Sequence, residues 1–159
     1  MLAQEKPGLI SPLVYVLPSP TLAAPAIIPQ KINIPALGLD LPIEPGQIIA
    51  NEWTLFEDKV SWLTTSSTPG NGNVILYAHN RKNLFGPLNQ LDTGDLIEIG
   101  AGSKNFKYRV KKIKRVLPGD IDAVVSLANQ ITLFTCNGRF DEKRLIVAAE
   151  PVDLLTSRN

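Results

Sequence analysis

From Lys31 onward, apolar and polar positions are arranged in short segments that predict strands rather than long helices. "KINIPALGLDLPI" (31–43) alternates, breaks at Pro35 and Gly38, and resumes, as two short strands around a turn would. "VILYAH" (74–79) is a short apolar run of buried-strand type. "DLIEIG", "FKYRVKKIKRVL", "ITLFTC" and "RLIVAAEPV" predict further strands, several with period-two alternation. "TPGNGN" (68–73) is dense in turn residues. Two segments read otherwise. "FEDKVSWL" (56–63) suggests a helical turn or two carrying Trp62, and "LFGPLNQL" (84–91), with Pro87 inside it, a short irregular helix. There is no internal repeat and no long segment of period 3.6. Many short strands separated by turn signals predict an all-β domain, a closed barrel or a sandwich.

The first 29 residues differ from the rest. Six of the 13 prolines fall there, at positions 7, 12, 18, 20, 25 and 29. Such spacing forbids a long helix and favours extended chain. Residues 1–29 therefore read as a proline-rich arm or linker, and 30–159 as one folded domain. Leu13, Val14, Tyr15 and Val16 make the arm apolar enough to pack over a surface.

Composition narrows the function. With 159 residues, 44% apolar and 19% charged, the chain can build one real core. A formal charge of +1 argues against a nucleic-acid partner. The basic run "KKIKR" (111–115) fits a strand with one wet face better than a phosphate-binding patch. The single cysteine closes no internal disulfide, and one His with one Cys cannot supply a structural zinc site. "LISPLVYVL", interrupted by Ser11 and Pro12, is neither a membrane-spanning helix nor a signal peptide, so a membrane anchor, if the protein has one, lies outside this sequence.

Two residues stand out because each is the only one of its kind. His79 ends one apolar run and Cys136 ends another. Strand ends sit at the rim of a sheet, where a rigid scaffold holds a side chain open to substrate. A thiol beside an imidazole makes a nucleophile with a proton donor for the leaving group. Taken singly, each reads more simply as packing or as a satisfied polar residue. Arg144, eight residues after Cys136, strengthens the pairing. It opens an otherwise apolar strand, where a guanidinium is costly without a partner, and a developing oxyanion is such a partner.

"TLFTC" (132–136), Arg144 opening "RLIVAAEPV", and "GNVILYAH" upstream together resemble the sortases, cell-surface cysteine transpeptidases of mostly Gram-positive bacteria. The family's TLxTC box fits at every specified position. Its strand-end histidine falls on His79 and its arginine on Arg144. "KINIPALGLDLPI", "PGNGNVILYAHN" and "LFGPLNQLDTGDLIEI" extend the likeness from about residue 30 to 152, closest to the class C, D and E groups. The loop 137–143 is short, as in classes D and E, and no lid precedes His79 unless the arm serves as one.

The resemblance implies a closed sortase-type β-barrel of about eight strands, with short helices in the connections. It implies that Cys136 attacks the threonine carbonyl of an LPxTG-like sorting motif on a surface protein. His79 then protonates the departing amine, and an acceptor amine, of a cell-wall precursor or a pilin lysine, resolves the thioester. Arg144 would hold the oxyanion and Thr135 would contact the substrate backbone. A monomer at the extracytoplasmic face of the membrane, without cofactor, is expected. Calcium near Asp92, Asp95 and Glu98 is conceivable, but solvated turn residues are the favoured reading. Two other classes stay open: an L,D-transpeptidase-like cross-linker, whose "HGC" signature is absent, and a catalytically silent barrel that binds peptide or glycan.

Overall fold

A computed structural model describes residues 27–50, 52–117, 120, 126–137 and 143–152, with 136 and 137 as strand backbone only. Most of the proline-rich arm, residues 1–26, and the loop carrying Arg139 lie outside the described residues.

Among these residues there are ten strands. Eight close into a barrel: β1 (Lys31–Ile34), β2 (Leu39–Gly46), β5 (Val60–Leu63), β6 (Asn73–Tyr77), β7 (Leu96–Ala101), β8 (Lys104–Val116), β9 (Gln130–Asn137) and β10 (Lys143–Pro151). Their order around the barrel is β1-β2-β5-β6-β9-β10-β8-β7, and β7 pairs with β1 to complete the ring. The remaining two, β3 (Ile48–Ile49) and β4 (Glu52–Trp53), form a separate small hairpin. The expected closed all-β barrel of about eight strands is what the chain forms. Helical structure among the described residues consists of two 3-10 turns, Pro35–Leu37 and Gly86–Gln90. The first sits at the break between β1 and β2, where Gly38 takes the left-handed backbone (φ 66°) that a residue with a Cβ adopts reluctantly.

The inner faces supply one continuous core, built from residues such as Ile32, Ile43, Leu76, Ile99, Leu133 and Val147. A second apolar cluster lies on the outside of the sheet, where Ile75, Tyr77, Phe134 and Ile146 pack with Trp53, Leu63 and Val116. This double burial explains why β6, β9 and β10 read as near-continuous apolar runs and not as alternating strands. β6 and β9 run parallel, with Tyr77 opposite Phe134. A buried polar chain holds their lower ends in register: the Gln130 amide donates to the Thr132 hydroxyl (3.0 Å), which donates to Asn73 Oδ1 (2.7 Å).

The segment 56–63 corrects the sequence reading. Trp62 sits not on a helical turn but on β5, parallel to β2 and antiparallel to β6. Val60, Ser61 and Trp62 are all buried, so the strand shows no alternation. The Ser61 hydroxyl reaches the Thr54 carbonyl (2.7 Å), and the Trp62 indole N–H donates to the Ser67 carbonyl (3.2 Å).

Candidate active site

Three neighbouring strands bring the singled-out residues to one rim. β6 ends at Tyr77, and His79 follows two residues later. β9 carries Cys136 one residue before its end, and β10 carries Arg144 one residue after its start. The antiparallel pairing sets Arg144 directly opposite Cys136. Because β6 and β9 are parallel, His79 leaves the sheet at the same end as Cys136. The register therefore places Arg144 on the strand beside the one that carries Cys136.

The chain after β6 is folded tightly. The His79 carbonyl accepts hydrogen bonds from the amides of Arg81 (2.9 Å) and Phe85 (3.1 Å). His79 itself is half-buried. Arg81 forms an ion pair with Glu57, which lies in the loop leading to β5. The Glu57 carboxyl is held below its ordinary range, first by the hydrogen bond from Arg81, then by the charge of Arg81, with His79 adding to the effect.

Thr135 is buried (3% exposed) and its hydroxyl donates to the Ala78 carbonyl at 2.7 Å. That bond fastens the top of β9 to the residue immediately before His79. Arg144 is half-buried, and its Nη1 makes a long 3.4 Å contact with the Lys143 carbonyl.

A pocket of about 120 Å³ opens on this rim, lined by His79, Arg144, Thr135 and Ala78 on one side and by Trp53, Leu55, Tyr77 and Phe134 on the other. The aromatic side is well ordered by its own contacts. The Trp53 ring meets Tyr77 edge-on at 5.0 Å and Phe134 edge-on at 4.9 Å, while Tyr77 and Phe134 stack at 5.4 Å. The larger hollow of about 420 Å³ lies at the other end of these strands, near Gly70, Asn129 and Val152, and contains none of the candidate residues.

The sequence reading missed the hairpin that supplies Trp53. Its strands are two residues each, and the turn includes Ala50 in the left-handed region (φ 53°). Thr54 locks it by bonding Gln47 through both its amide (to the carbonyl, 2.9 Å) and its hydroxyl (from the amide, 3.1 Å). The available signal was "IIANEW", two apolar-containing pairs flanking a turn-prone Asn.

Under the hairpin, Tyr77 is 2% exposed, and its hydroxyl lies against Gly46, Ser61 and Thr54 without a hydrogen bond of normal geometry. A Cβ on Gly46 would stand 2.6 Å from the Tyr77 hydroxyl oxygen. Gly46 is thus glycine because β2 passes directly over that phenol.

Asp92, Asp95 and Glu98 do not converge. The Asp95 carboxylate accepts from the Asp92 amide (2.8 Å), and Glu98 accepts from Asn105 (2.9 Å). Among the described residues no three His, Cys, Asp or Glu side chains are grouped to hold a metal ion.

The chain is similar to known proteins in sequence and fold. The sortase domain family matches residues 32–152. The Bacillus subtilis protein YwpE is 37% identical over 89 residues, spanning 53% of this chain and 87% of its own. Sortase A of Streptococcus agalactiae is 26% identical over 125 residues, 75% of this chain and 51% of its own length. Among solved structures, sortase A from Corynebacterium diphtheriae superposes with a TM-score of 0.68 at 31% identity, covering 82% of this chain and 63% of that one. Sortase C from Clostridium perfringens gives 0.67 at 28%, covering 87% and 77%. With the family's domain matched across nearly the whole barrel, and neighbours drawn from classes A, C and D, the chain belongs to the sortase family.

Proposed function

We propose that the protein is a cysteine transpeptidase that cuts an LPxTG-like sorting motif and passes the acyl group to an amine. The observation that carries this reading is the register opposing Arg144 to Cys136 at the rim where His79 leaves the parallel strand β6. Cys136, as thiolate, attacks the threonine carbonyl of the motif and forms a carbon–sulfur bond. Arg144 stabilises the oxyanion of the tetrahedral intermediate. As the C–N bond breaks, the imidazolium of His79 gives its proton to the departing amine, leaving a thioester on Cys136 and a neutral imidazole. An incoming primary amine, from a cell-wall precursor or a pilin lysine, attacks the thioester while His79 takes up its proton. The amide forms and the thiolate leaves. Water in place of the amine gives slow hydrolysis.

The remaining residues fit supporting roles. The apolar wall of Trp53, Leu55, Tyr77 and Phe134 suits aliphatic side chains of the motif. Thr135 lines the same pocket, where a substrate backbone can pass it, and its bond to Ala78 positions the stem of His79. The enzyme acts as a monomer at the extracytoplasmic face of the membrane. No helix among the described residues is long and apolar enough to cross that membrane.

The test is intact-mass spectrometry of the protein incubated with a library of LPxTG-like peptides. A covalent adduct on the wild type, absent from Cys136→Ala and released by an added amine as a new peptide amide, is the expected result. A labelled, accessible thiol with no acyl adduct from any peptide would leave a silent barrel and end the proposal.

A further inference from the structure

We infer that the outer face of β8 binds a linear polyanion, a chain of closely spaced phosphate groups, lying along the strand towards Arg144. The total charge of +1 conceals a strong segregation. Seven of the 16 Lys and Arg residues lie between Lys104 and Arg115, with no Asp or Glu among them. The rest of the chain carries nine basic residues against fifteen acidic ones.

A five-residue basic run alone reads as the wet face of a strand. Three structural facts extend it. Lys107, Arg109, Lys111, Lys112, Lys114 and Arg115 are all exposed. The strand neighbours of the four lysines do little to neutralise them. The register sets Lys112 against Ala148 and Lys114 against Ile146, and among the described residues the acidic ones opposite are Glu98, across from Lys107, and Glu150, across from Arg109. Glu98 is engaged by Asn105, and among the described residues none of Lys107, Lys111, Lys112 or Lys114 is ion-paired. Finally, β8 ends at Val116, which pairs with Arg144, which in turn pairs with Cys136. The row of charge therefore runs up to the active-site rim.

The shape of the row selects the ligand. The cations follow one strand, flanked by the uncharged Ile146 and Ala148, so the field is a line and not a disc. Alternate residues on a strand are about 6.6 Å apart, a repeat that a flexible chain of phosphates can follow. Unpaired lysines in such a row attract a polyanion by releasing its condensed counterions, with a steep dependence on salt. A flat anionic bilayer would touch this ridge at fewer points. A competing account is that lysines simply guard the upper half of β8, which extends past β7 and pairs only with β10.

Fluorescence anisotropy with a labelled linear polyphosphate decides between these. The comparison is wild type, a β8 variant (Lys107→Gln, Lys112→Gln, Lys114→Gln) and a charge-matched control (Lys31→Gln, Lys59→Gln, Lys82→Gln), each checked by circular dichroism. Wild type should bind with salt-sensitive affinity, the β8 variant should lose about tenfold or more, and the control about twofold or less. If the triple variant is misfolded, single Lys112→Gln and Lys114→Gln chains are measured, and each should still weaken binding more than Lys59→Gln does. Equal losses in both sets would reduce the effect to net charge and overturn the inference. So would absence of polyphosphate binding at low salt, orthophosphate competing as well per phosphate as the chain, or binding to phosphatidylglycerol vesicles alone.

Discussion

Arg144 lies directly across an antiparallel strand pair from Cys136. Both belong to paired strands, so the register fixes the stem of Arg144 beside Cys136. Arg144→Ala should lower kcat/KM for a sorting peptide by about 10²–10³, the scale of losing an oxyanion donor. Arg144→Lys should recover little, because an ammonium lacks the two-pronged fork. Arg139 lies outside the described residues, in the polar sequence "NGRFDEK" between β9 and β10, and Arg139→Ala is expected to cost less than about tenfold, the scale for a charge that solvent screens. Steady-state kinetics on the three variants, with circular dichroism for folding, check this. A greater loss at Arg139 would reverse the assignment.

Trp53 is the residue through which the hairpin reaches the pocket. Trp53→Ala removes two edge-on ring contacts, each worth about 0.5–1.5 kcal/mol beyond area burial. If the aromatic wall receives a substrate side chain, KM should rise while kcat changes less, and Trp53→Phe should fall between the two. Equal loss in kcat with unchanged KM would assign Trp53 a different task.

Tyr77 makes a testable link between burial and pH. Its phenol is raised above the ordinary value, chiefly by burial, with neighbouring Ser61 and Thr54 partly opposing. The folded state thus holds this proton more tightly than the unfolded state does. The resulting stability is fully present below the unfolded tyrosine value and is lost as pH rises through the folded one. Thermal melts of wild type should fall off on the alkaline side, and Tyr77→Phe should shrink that fall. Some of it should persist through Tyr108, also raised by burial. At neutral pH, Tyr77→Phe should change stability by less than about 1 kcal/mol, because the hydroxyl touches Ser61 and Thr54 without a hydrogen bond of normal geometry.

Gly46 and Tyr77 should be energetically coupled. Gly46→Ala places a methyl 2.6 Å from the phenol oxygen and 3.1 Å from Ser61 Cβ. Overpacking of this kind costs about 1–3 kcal/mol. Adding Tyr77→Phe removes the nearer obstacle, so the double variant should melt higher than Gly46→Ala alone. Additive losses would show that the strain lies instead against Ser61 and Thr54.

The Thr135 hydroxyl gives a way to move His79 without touching it. Thr135→Val withdraws the donor from the Ala78 carbonyl, a loss of about 1–3 kcal/mol if that buried oxygen finds no substitute. Thr135→Ser should restore both stability and activity. A Val variant that melts like wild type would mean the bond contributes little.

Much of the barrel could be read from the chain because its strands carry their own signals. "VILYAH" and "RLIVAAEPV" are apolar on both faces, and β7 alternates along its whole length. Cys136, His79 and Arg144 were legible because each is chemically out of place at the end of such a run. β5 was misread because it is four residues long, buried on both faces, and preceded by "EDK", which mimics the polar side of a helix. The hairpin was invisible because two-residue strands have no period. The pocket's aromatic wall follows from that omission. Nor could alternation reveal that β2 pairs with β5 and β6 with β9 in parallel, since each pairing joins segments far apart in the chain and depends on which apolar faces meet.

The parallel pairing of β6 with β9 has a bearing on when the enzyme can first work. Its two strands are separated in the chain by β7 and β8, and Arg144 arrives on β10, the last strand among the described residues. Contacts so distant in sequence form late, after local hairpins such as β7–β8 have closed. A polypeptide still being synthesised or exported would hold His79 long before it holds its partners. Reactivity would switch on only when the ring shuts, so that an unfinished chain cannot attack its neighbours. In a pulse-refolding experiment, the gain of thiol acylation should therefore coincide with the slowest folding phase and never precede it.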